Sequence, residues 1–153
     1  TKKEMTKEFI DFYSKNIDKN SVPIKGAIDF FNWAKNKNIS MAVCTNKQER
    51  LAIDLLKKLN LFTFFDYVAG SDTFSFNKPD PRHLTDVVEI IGGDLKKTIM
   101  VGDSEVDALS AQNATLPFVL VKDGYTEKTE KEIKHDELIS DYINFEKIIE
   151  KYL

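Results

Sequence analysis

The chain of 153 residues contains a single cysteine, Cys44, so no disulfide can form within it. A lone cysteine is typical of a reducing compartment, and we therefore expect a cytoplasmic location. No apolar run approaches the roughly 20 residues of a membrane-spanning helix. The charged residues 1–4 are not followed by the apolar segment of a signal peptide. These absences predict a protein that has no membrane partner.

An excess of positive charge is also lacking. The 22 Lys and Arg residues are outnumbered by 25 Asp and Glu residues, and the net charge is −3. No basic stripe is present, and we expect no nucleic-acid partner. The remaining composition, 42% hydrophobic and 31% charged, is that of a globular protein whose length suits one domain with its own core.

Short apolar runs alternate with amphipathic segments along most of the chain. The pattern predicts strands at 39–44, 66–70, 98–102 and 118–121, and helices at 4–16, 25–37, 47–59, 81–91, 106–113 and 145–152. The segment from 126 to 153 is otherwise a charged tail. Strands that alternate with helices predict an α/β fold with a parallel sheet that is covered on both faces.

Polar residues follow the predicted strands where ligands bind in such sheets, beyond the carboxyl ends. Thr45 and Asn46 follow the first strand, Asp103 follows the third, and Asp107 comes four residues later. The loop between these strands supplies Lys78. A hydroxyl and an ammonium group can hold an anion, and carboxylates suit Mg²⁺, which also takes phosphate oxygens. The pattern therefore predicts a site for a phosphate ester and Mg²⁺.

Each of these residues also has an ordinary structural interpretation when it is taken alone. A threonine after a strand, such as Thr45, is commonly the N-cap of the next helix. A loop lysine such as Lys78 is commonly solvated, and an aspartate after a strand is only moderately more frequent in active sites. The order and spacing of the residues favour the functional interpretation.

Three segments resemble the motifs of the haloacid dehalogenase superfamily. Residues 43–47 (Val-Cys-Thr-Asn-Lys) resemble its second motif, residues 77–81 (Asn-Lys-Pro-Asp-Pro) its third, and residues 101–107 (Val-Gly-Asp-Ser-Glu-Val-Asp) its fourth. The resemblance covers roughly residues 22–125, and the Lys-Pro-Asp-Pro form is similar to that of phosphoglycolate phosphatases. It implies a Rossmann-like core and an Mg²⁺-dependent phosphomonoester hydrolase that acts through an aspartyl-phosphate.

The resemblance also implies a role for each site residue. Thr45 and the Asn46 backbone N–H would bind the transferring phosphoryl group, and Lys78 would neutralise its charge. Asp103 would bind Mg²⁺. Asp107 would be a supporting carboxylate that orients either Lys78 or a metal-bound water.

The first motif of that superfamily, an Asp-x-Asp pair that includes the nucleophile, is missing from this sequence. None of its aspartates has a second aspartate two residues later. We therefore expect an incomplete core domain at 22–153, preceded at 1–21 by the last helix of a cap domain and a connector. The first central strand would also be missing, and we expect the N-terminal segment of a longer protein, or a second chain, to fill its place.

Two other functions use similar residues, and the order of the residues excludes one of them. Without the nucleophile the chain could be a catalytically inactive fragment or a phosphate-binding remnant. A phosphoacceptor receiver domain is excluded, because its acceptor carboxylates precede its Thr and Lys, whereas Thr45 and Lys78 here precede Asp103. Phosphoglycolate is the expected substrate, with sugar phosphates, nucleotides and pyrophosphate as the open alternatives.

Overall fold

The structure, a computed structural model, describes the backbone of residues 7–10 and all of residues 25–122 and 131–152. The strands are β1 (Lys7–Ile10), β2 (Ser40–Cys44), β3 (Tyr67–Ala69), β4 (Thr98–Gly102), β5 (Phe118–Val121) and β6 (Glu137–Ile139). The α-helices are α1 (Ala27–Asn36), α2 (Glu49–Lys58), α3 (Arg82–Ile90), α4 (Glu105–Asn113) and α5 (Phe145–Glu150). Short 3₁₀ helices lie at Phe62–Phe64 and Leu95–Lys97. No helix in the described parts of the chain is both long and apolar enough to cross a membrane.

All the strand pairs are parallel, and the strand order is β3-β2-β1-β4-β5-β6. The predicted α/β class with a Rossmann-like parallel sheet is thus confirmed. Because the strands are parallel, the carboxyl ends of β2 and β4 lie at one edge of the sheet, on either side of β1. This edge is called the carboxyl-end rim below.

Alternate side chains of the strands enter two separate cores, one on each face of the sheet. On β4, Ile99 and Val101 pack in the core that contains Phe30 and Phe31 of α1. Met100 points the other way, into the core that contains Leu84 of α3. All five residues of β4 are buried, which explains why its sequence is a continuous apolar run rather than an alternating one.

The predicted helices from residue 25 onward are present, and their ends differ from the predicted ends by at most two residues. One strand of the charged tail, β6, was not predicted. It pairs with β5. Asp136, directly before β6, contacts the first residue of β5, because its side chain accepts a hydrogen bond from the Phe118 N–H at 2.8 Å. The backbone N–H of Asp136 donates to the Phe118 carbonyl, also at 2.8 Å. A three-residue strand with one buried side chain has too little apolar pattern to be recognised.

The prediction of a helix over 4–16 is wrong for Lys7–Ile10, which form the central strand β1. Lys7 is in register with Ser40 of β2 on one side and with Thr98 of β4 on the other. Without β1, the N–H and C=O groups of β2 and β4 that face each other would be buried and unpaired, which costs free energy. Pairing with these groups therefore outweighs the helical spacing of the apolar residues in this segment. The chain's own residues, rather than a segment from elsewhere, fill the position. The rest of the predicted helix, and residues 11–24, lie outside the described residues.

The central position of β1 can be tested with Phe9→Pro. Every N–H of a strand paired on both sides is used in one of the two ladders, and proline has none. We expect the substitution to lower the free energy of unfolding by about 1–3 kcal/mol, measured by urea denaturation. Phe9→Leu, which keeps the N–H, is the control. Equal stabilities of the two variants would contradict the placement of β1.

Candidate active site

Hydrogen bonds at the carboxyl-end rim join the residues that the sequence singled out. The side-chain amide of Asn46 donates to the Lys78 carbonyl at 3.1 Å, which connects the end of β2 to the loop before α3. The Lys78 ammonium donates to Asp107 Oδ1 at 2.5 Å. The other carboxylate oxygen of Asp107 accepts the Asp103 backbone N–H at 3.0 Å. Asn46, Lys78, Asp103 and Asp107 are thus connected to one another at one edge of the sheet.

The ion pair between Lys78 and Asp107 is almost fully buried, with side-chain exposures of 2% and 1%. Charges in such a position are costly unless each is paired and hydrogen-bonded, and this pair meets both conditions. Gly102 allows the approach, because a Cβ atom there would lie 2.5 Å from the Asp107 side chain. Ser104 caps α4 by accepting the Asp107 N–H at 3.2 Å, which fixes the first turn of the helix.

Thr45 is buried at the end of β2, and its backbone N–H extends the ladder by donating to the Ala69 carbonyl at 2.9 Å. Its hydroxyl accepts the Lys47 N–H at 3.1 Å. The N-cap of α2 is Gln48, so the structural interpretation of Thr45 as a helix cap does not hold. The hydroxyl instead shapes the turn at Asn46, where backbone N–H groups can meet an anion.

Side chains on both sides of Lys78 order its loop. Asp80 forms an ion pair with Arg82 at 2.7 Å, and the hydrogen bonds from Arg82 lower the pKa of Asp80 to about 2. The Arg82 guanidinium lies 4.2 Å from the ring centre of Phe76, which stacks on Phe74 at 5.3 Å. Stacked and paired side chains of this kind reduce the freedom of the segment that carries Lys78.

His83 lies in the first turn of α3 and had no role in the sequence analysis. Its imidazole is fully buried, and Nε2 lies 3.1 Å from the Gly70 carbonyl. A carbonyl only accepts, so Nε2 carries the proton, while Nδ1 has no hydrogen-bond partner among the described residues. Burial lowers the pKa of His83 below 6.5, and the nearby Lys78 charge lowers it further. A neutral His83 thus ties α3 to the end of β3.

Three further residues have contacts near the site to which sequence reasoning assigned no role. Gly102 is needed for the approach of Asp107, the Asn113 amide donates to the Pro79 carbonyl at 3.3 Å, and Asn77 Oδ1 is buried without a partner among the described residues. The Gly-Asp sequence at 102–103 was a usable signal for the first of these. The roles of Asn77 and Asn113 have no signal in the spacing of the sequence, because they depend on the conformation of the loop at 77–81.

Few carboxylates in the described segments are placed to take part in a magnesium site. Asp103 is half-buried and directly follows β4, a position that suits one carboxylate ligand of Mg²⁺. Both oxygens of Asp107 are engaged by Lys78 and by the Asp103 N–H, so its geometry fits the orientation of Lys78 rather than direct coordination. Within 25–122 and 131–152, no group of three or more His, Cys, Asp or Glu side chains is placed to hold a metal ion.

The sequence profile of the haloacid dehalogenase-like hydrolases matches residues 1–121. The chain belongs to this family. The chain is 40% identical over 148 residues to the phosphoglycolate phosphatase of Agrobacterium fabrum, covering 94% of the chain and 64% of that protein. It is 39% identical over 138 residues to the phosphoglycolate phosphatase of Mesorhizobium japonicum, covering 90% of the chain and 61% of that protein.

The fold agrees with the haloacid dehalogenase-like assignment. A crystal structure of a predicted phosphoglycolate phosphatase from Haemophilus somnus superposes with a TM-score of 0.77 at 23% identity. The superposition covers 82% of this chain and 56% of that one. The chain thus spans less than two thirds of the length of the relatives it matches.

The buried ion pair can be tested with a double-mutant cycle. Lys78→Met leaves a buried carboxylate and Asp107→Asn leaves a buried ammonium, so each should cost about 3–5 kcal/mol of unfolding free energy. The double variant should cost less than the sum of the two, because neither charge then remains. Lys96→Met and Asp54→Asn, both at exposed positions, are the controls. Additive effects in urea denaturation would contradict a direct pair.

The lowered pKa of His83 predicts loss of stability in weak acid. Below pH 6.5 the unfolded chain binds a proton at His83 that the folded chain does not, so the free energy of unfolding decreases as the pH falls from 6.5 toward the lower folded pKa. Above 6.5 both states are neutral at this residue and the effect vanishes. The measurement is thermal unfolding between pH 7.5 and about 5.5. His83→Gln should flatten the profile, while His135→Gln should leave this contribution in place.

Proposed function

We propose that this chain provides the phosphate-binding and metal-binding part of an Mg²⁺-dependent phosphomonoester hydrolase. The observation that carries the proposal is the Lys78 ammonium, which Asp107 holds in a buried position beside the Asp103 backbone. Membership of the haloacid dehalogenase-like hydrolases supports the reaction class. The activity of the whole enzyme is part of the proposal, because the chain spans only part of its relatives.

The residues of the rim have complementary tasks in this reaction. The Thr45 hydroxyl and the Asn46 backbone N–H donate to the oxygens of the phosphoryl group. Lys78 places a fixed positive charge where negative charge accumulates on those oxygens during transfer. Phosphoryl transfer depends mainly on such positioning and electrostatic stabilisation, and a charge that is already oriented needs no reorganisation when the reaction occurs.

Asp103 is the proposed ligand for Mg²⁺, with Asp107 as the residue that keeps Lys78 aligned beside it. When bound, Mg²⁺ supplies additional positive charge for the phosphate oxygens. The Asp103 backbone N–H is already fixed by Asp107, so the carboxylate extends from a rigid point at the end of β4. The Asp107 carboxylate thus orients both the ammonium and the backbone that precedes α4.

The nucleophile of the proposed mechanism is not in this sequence. An aspartyl-phosphate intermediate requires a carboxylate in line with the transferred group, and the proposed source is an Asp-x-Asp strand outside the sequence. In the active enzyme that strand would take the central position that β1 occupies in this chain. Lys7–Ile10, which occupy the central position, contain no aspartate. This absence favours a second candidate function, an inactive fragment or remnant that binds phosphate without hydrolysing its esters.

Phosphoglycolate is the proposed substrate. The support is the identity of about two fifths to the Agrobacterium and Mesorhizobium phosphoglycolate phosphatases, which cover nearly the whole chain. The roles proposed for Thr45, Asn46 and Lys78 concern the phosphoryl group and do not distinguish its organic part. Sugar phosphates, nucleotides and pyrophosphate therefore belong in the same assay.

The proposal predicts that the chain alone releases no phosphate from p-nitrophenyl phosphate or phosphoglycolate. Fusion to the part of the Agrobacterium fabrum enzyme that the chain does not cover should restore Mg²⁺-dependent release. In the fusion, Lys78→Ala and Asp103→Asn should each lower kcat on the order of 10²–10³-fold, the usual effect of removing one electrostatic partner.

Lys96→Ala and Asp54→Asn, at exposed positions, are the controls for these kcat values. Near-normal kcat in Lys78→Ala would refute the role of the ion pair. Mg²⁺-dependent turnover by the chain alone would refute the external nucleophile. Phosphate binding without turnover in the fusion would favour the second candidate function, a remnant that binds phosphate.

A further inference from the structure

We propose that Thr73 is a positioning residue for the phosphate-binding turn at Thr45 and Asn46, an inference that rests on the proposed function. Thr73 lies in the loop after β3 and neither belongs to the three sequence motifs nor contacts the Lys78–Asp107 pair in the hydrogen bonds described above. Its hydroxyl accepts the Gly70 N–H at 2.7 Å and donates to Glu49 Oε1 at 2.6 Å. These two hydrogen bonds of one oxygen, called the relay below, connect the end of β3 to the first residue of α2.

The relay is part of a wider set of bonds between the two loops. Besides the ladder bond from Thr45 to Ala69, the Ser71 N–H donates to the Lys47 carbonyl at 2.8 Å, and the Glu49 N–H donates to Asp72 Oδ1 at 2.9 Å. The turn that contains Thr45 and Asn46 is therefore held along its length by the loop after β3. The Asn46 backbone N–H, which the proposed function directs at the phosphoryl group, therefore has little freedom to turn away from an anion.

Gly70 is the point at which the loops come closest. A Cβ atom there would lie 2.3 Å from the Glu49 nitrogen and 2.6 Å from the Lys47 carbonyl oxygen, so only glycine fits. The Gly70 carbonyl accepts from His83 Nε2 on α3, and its N–H donates to Thr73. Gly70 thus links the helix that follows the Lys78 loop to the start of α2.

In this connection the single side-chain oxygen of Thr73 both accepts one hydrogen bond and donates another. A serine hydroxyl can do both, whereas valine has the shape of threonine and can do neither. Without the hydroxyl, the buried Gly70 N–H and the Glu49 carboxylate lose their shared partner, and the turn loses one of its fixed supports. The contribution of Thr73 to the rigidity of the phosphate-binding turn therefore comes from its hydroxyl rather than from its methyl group.

The test compares Thr73→Val and Thr73→Ser in this chain. Inorganic phosphate is the probe, titrated by NMR, and amide hydrogen exchange is followed at residues 45–48. We expect Thr73→Val to weaken phosphate binding about tenfold and to accelerate exchange at these amides, while Thr73→Ser restores both. Thr63→Val, at an exposed position on a 3₁₀ helix, is the matched control and should change neither.

A second variant keeps the test decisive if Thr73→Val does not fold. Glu49→Ala removes the other end of the relay at a half-buried position and should accelerate the same exchange, whereas Glu49→Gln keeps an acceptor and should not. Unchanged exchange at 45–48 in both Thr73→Val and Glu49→Ala would overturn the proposal. Failure of Thr73→Ser to restore the exchange rates would also overturn it, because the methyl group would then be the cause.

The outcome also separates this inference from the proposed function. If the unsubstituted chain binds no phosphate, the phosphate site is refuted. The relay is then judged on hydrogen exchange alone: faster exchange in Thr73→Val and recovery in Thr73→Ser support it, and equal rates overturn it. If phosphate binds but its affinity is the same in Thr73→Val, the proposed site stands and the positioning role is refuted.

Discussion

The buried contact between Lys78 and Asp107 is the interaction on which the arrangement of the rim depends. Lys78 comes from the loop that follows β3, and Asp107 comes from the first turn of α4, after β4. The two residues therefore join opposite sides of β1, and the Asn46 bond to the Lys78 backbone brings the end of β2 into the same connection. A buried charge pair favours one geometry, because a displacement that separates the two groups leaves an unpaired charge inside the protein.

Close backbone packing makes this arrangement specific. Gly102 leaves room for the Asp107 side chain, and Gly70 leaves room for the start of α2. Gly102 is the last residue of β4, and the Asp107 side chain of the following helix occupies the space beside it. Gly70 directly follows β3, and backbone atoms of Lys47 and Glu49 at the start of α2 occupy the space beside it. The site therefore depends on having glycine, which has no Cβ atom, at positions 70 and 102 as well as on the side chains that bind or react.

Much of the fold could be predicted because most strands are continuous apolar runs. β4 and β5 are entirely buried, and helices α1, α2 and α3 have amphipathic spacing. Lys7–Ile10 have no such run, since two of their four residues are charged, and only the pairing demand of β2 and β4 places them in the sheet. For the site, motif spacing identified Lys78 and Asp107. It did not identify Thr73 or His83, whose roles arise from loop contacts that single-residue patterns do not encode.

The placement of β1 has a consequence for the order in which the fold assembles. Lys7 pairs with Thr98, a residue far along the chain, whereas neighbouring strands such as β2 and β3 are close in sequence. Contacts of long sequence separation form slowly, because the entropy of closing the loop must be overcome before they contribute stability. During synthesis β1 emerges before β2 and β4, yet it has no complete binding position until β4 exists. The edges of β2 and β4 that face the centre of the sheet are thus exposed until late in folding, and this interval is when the chain is most open to pairing with another strand.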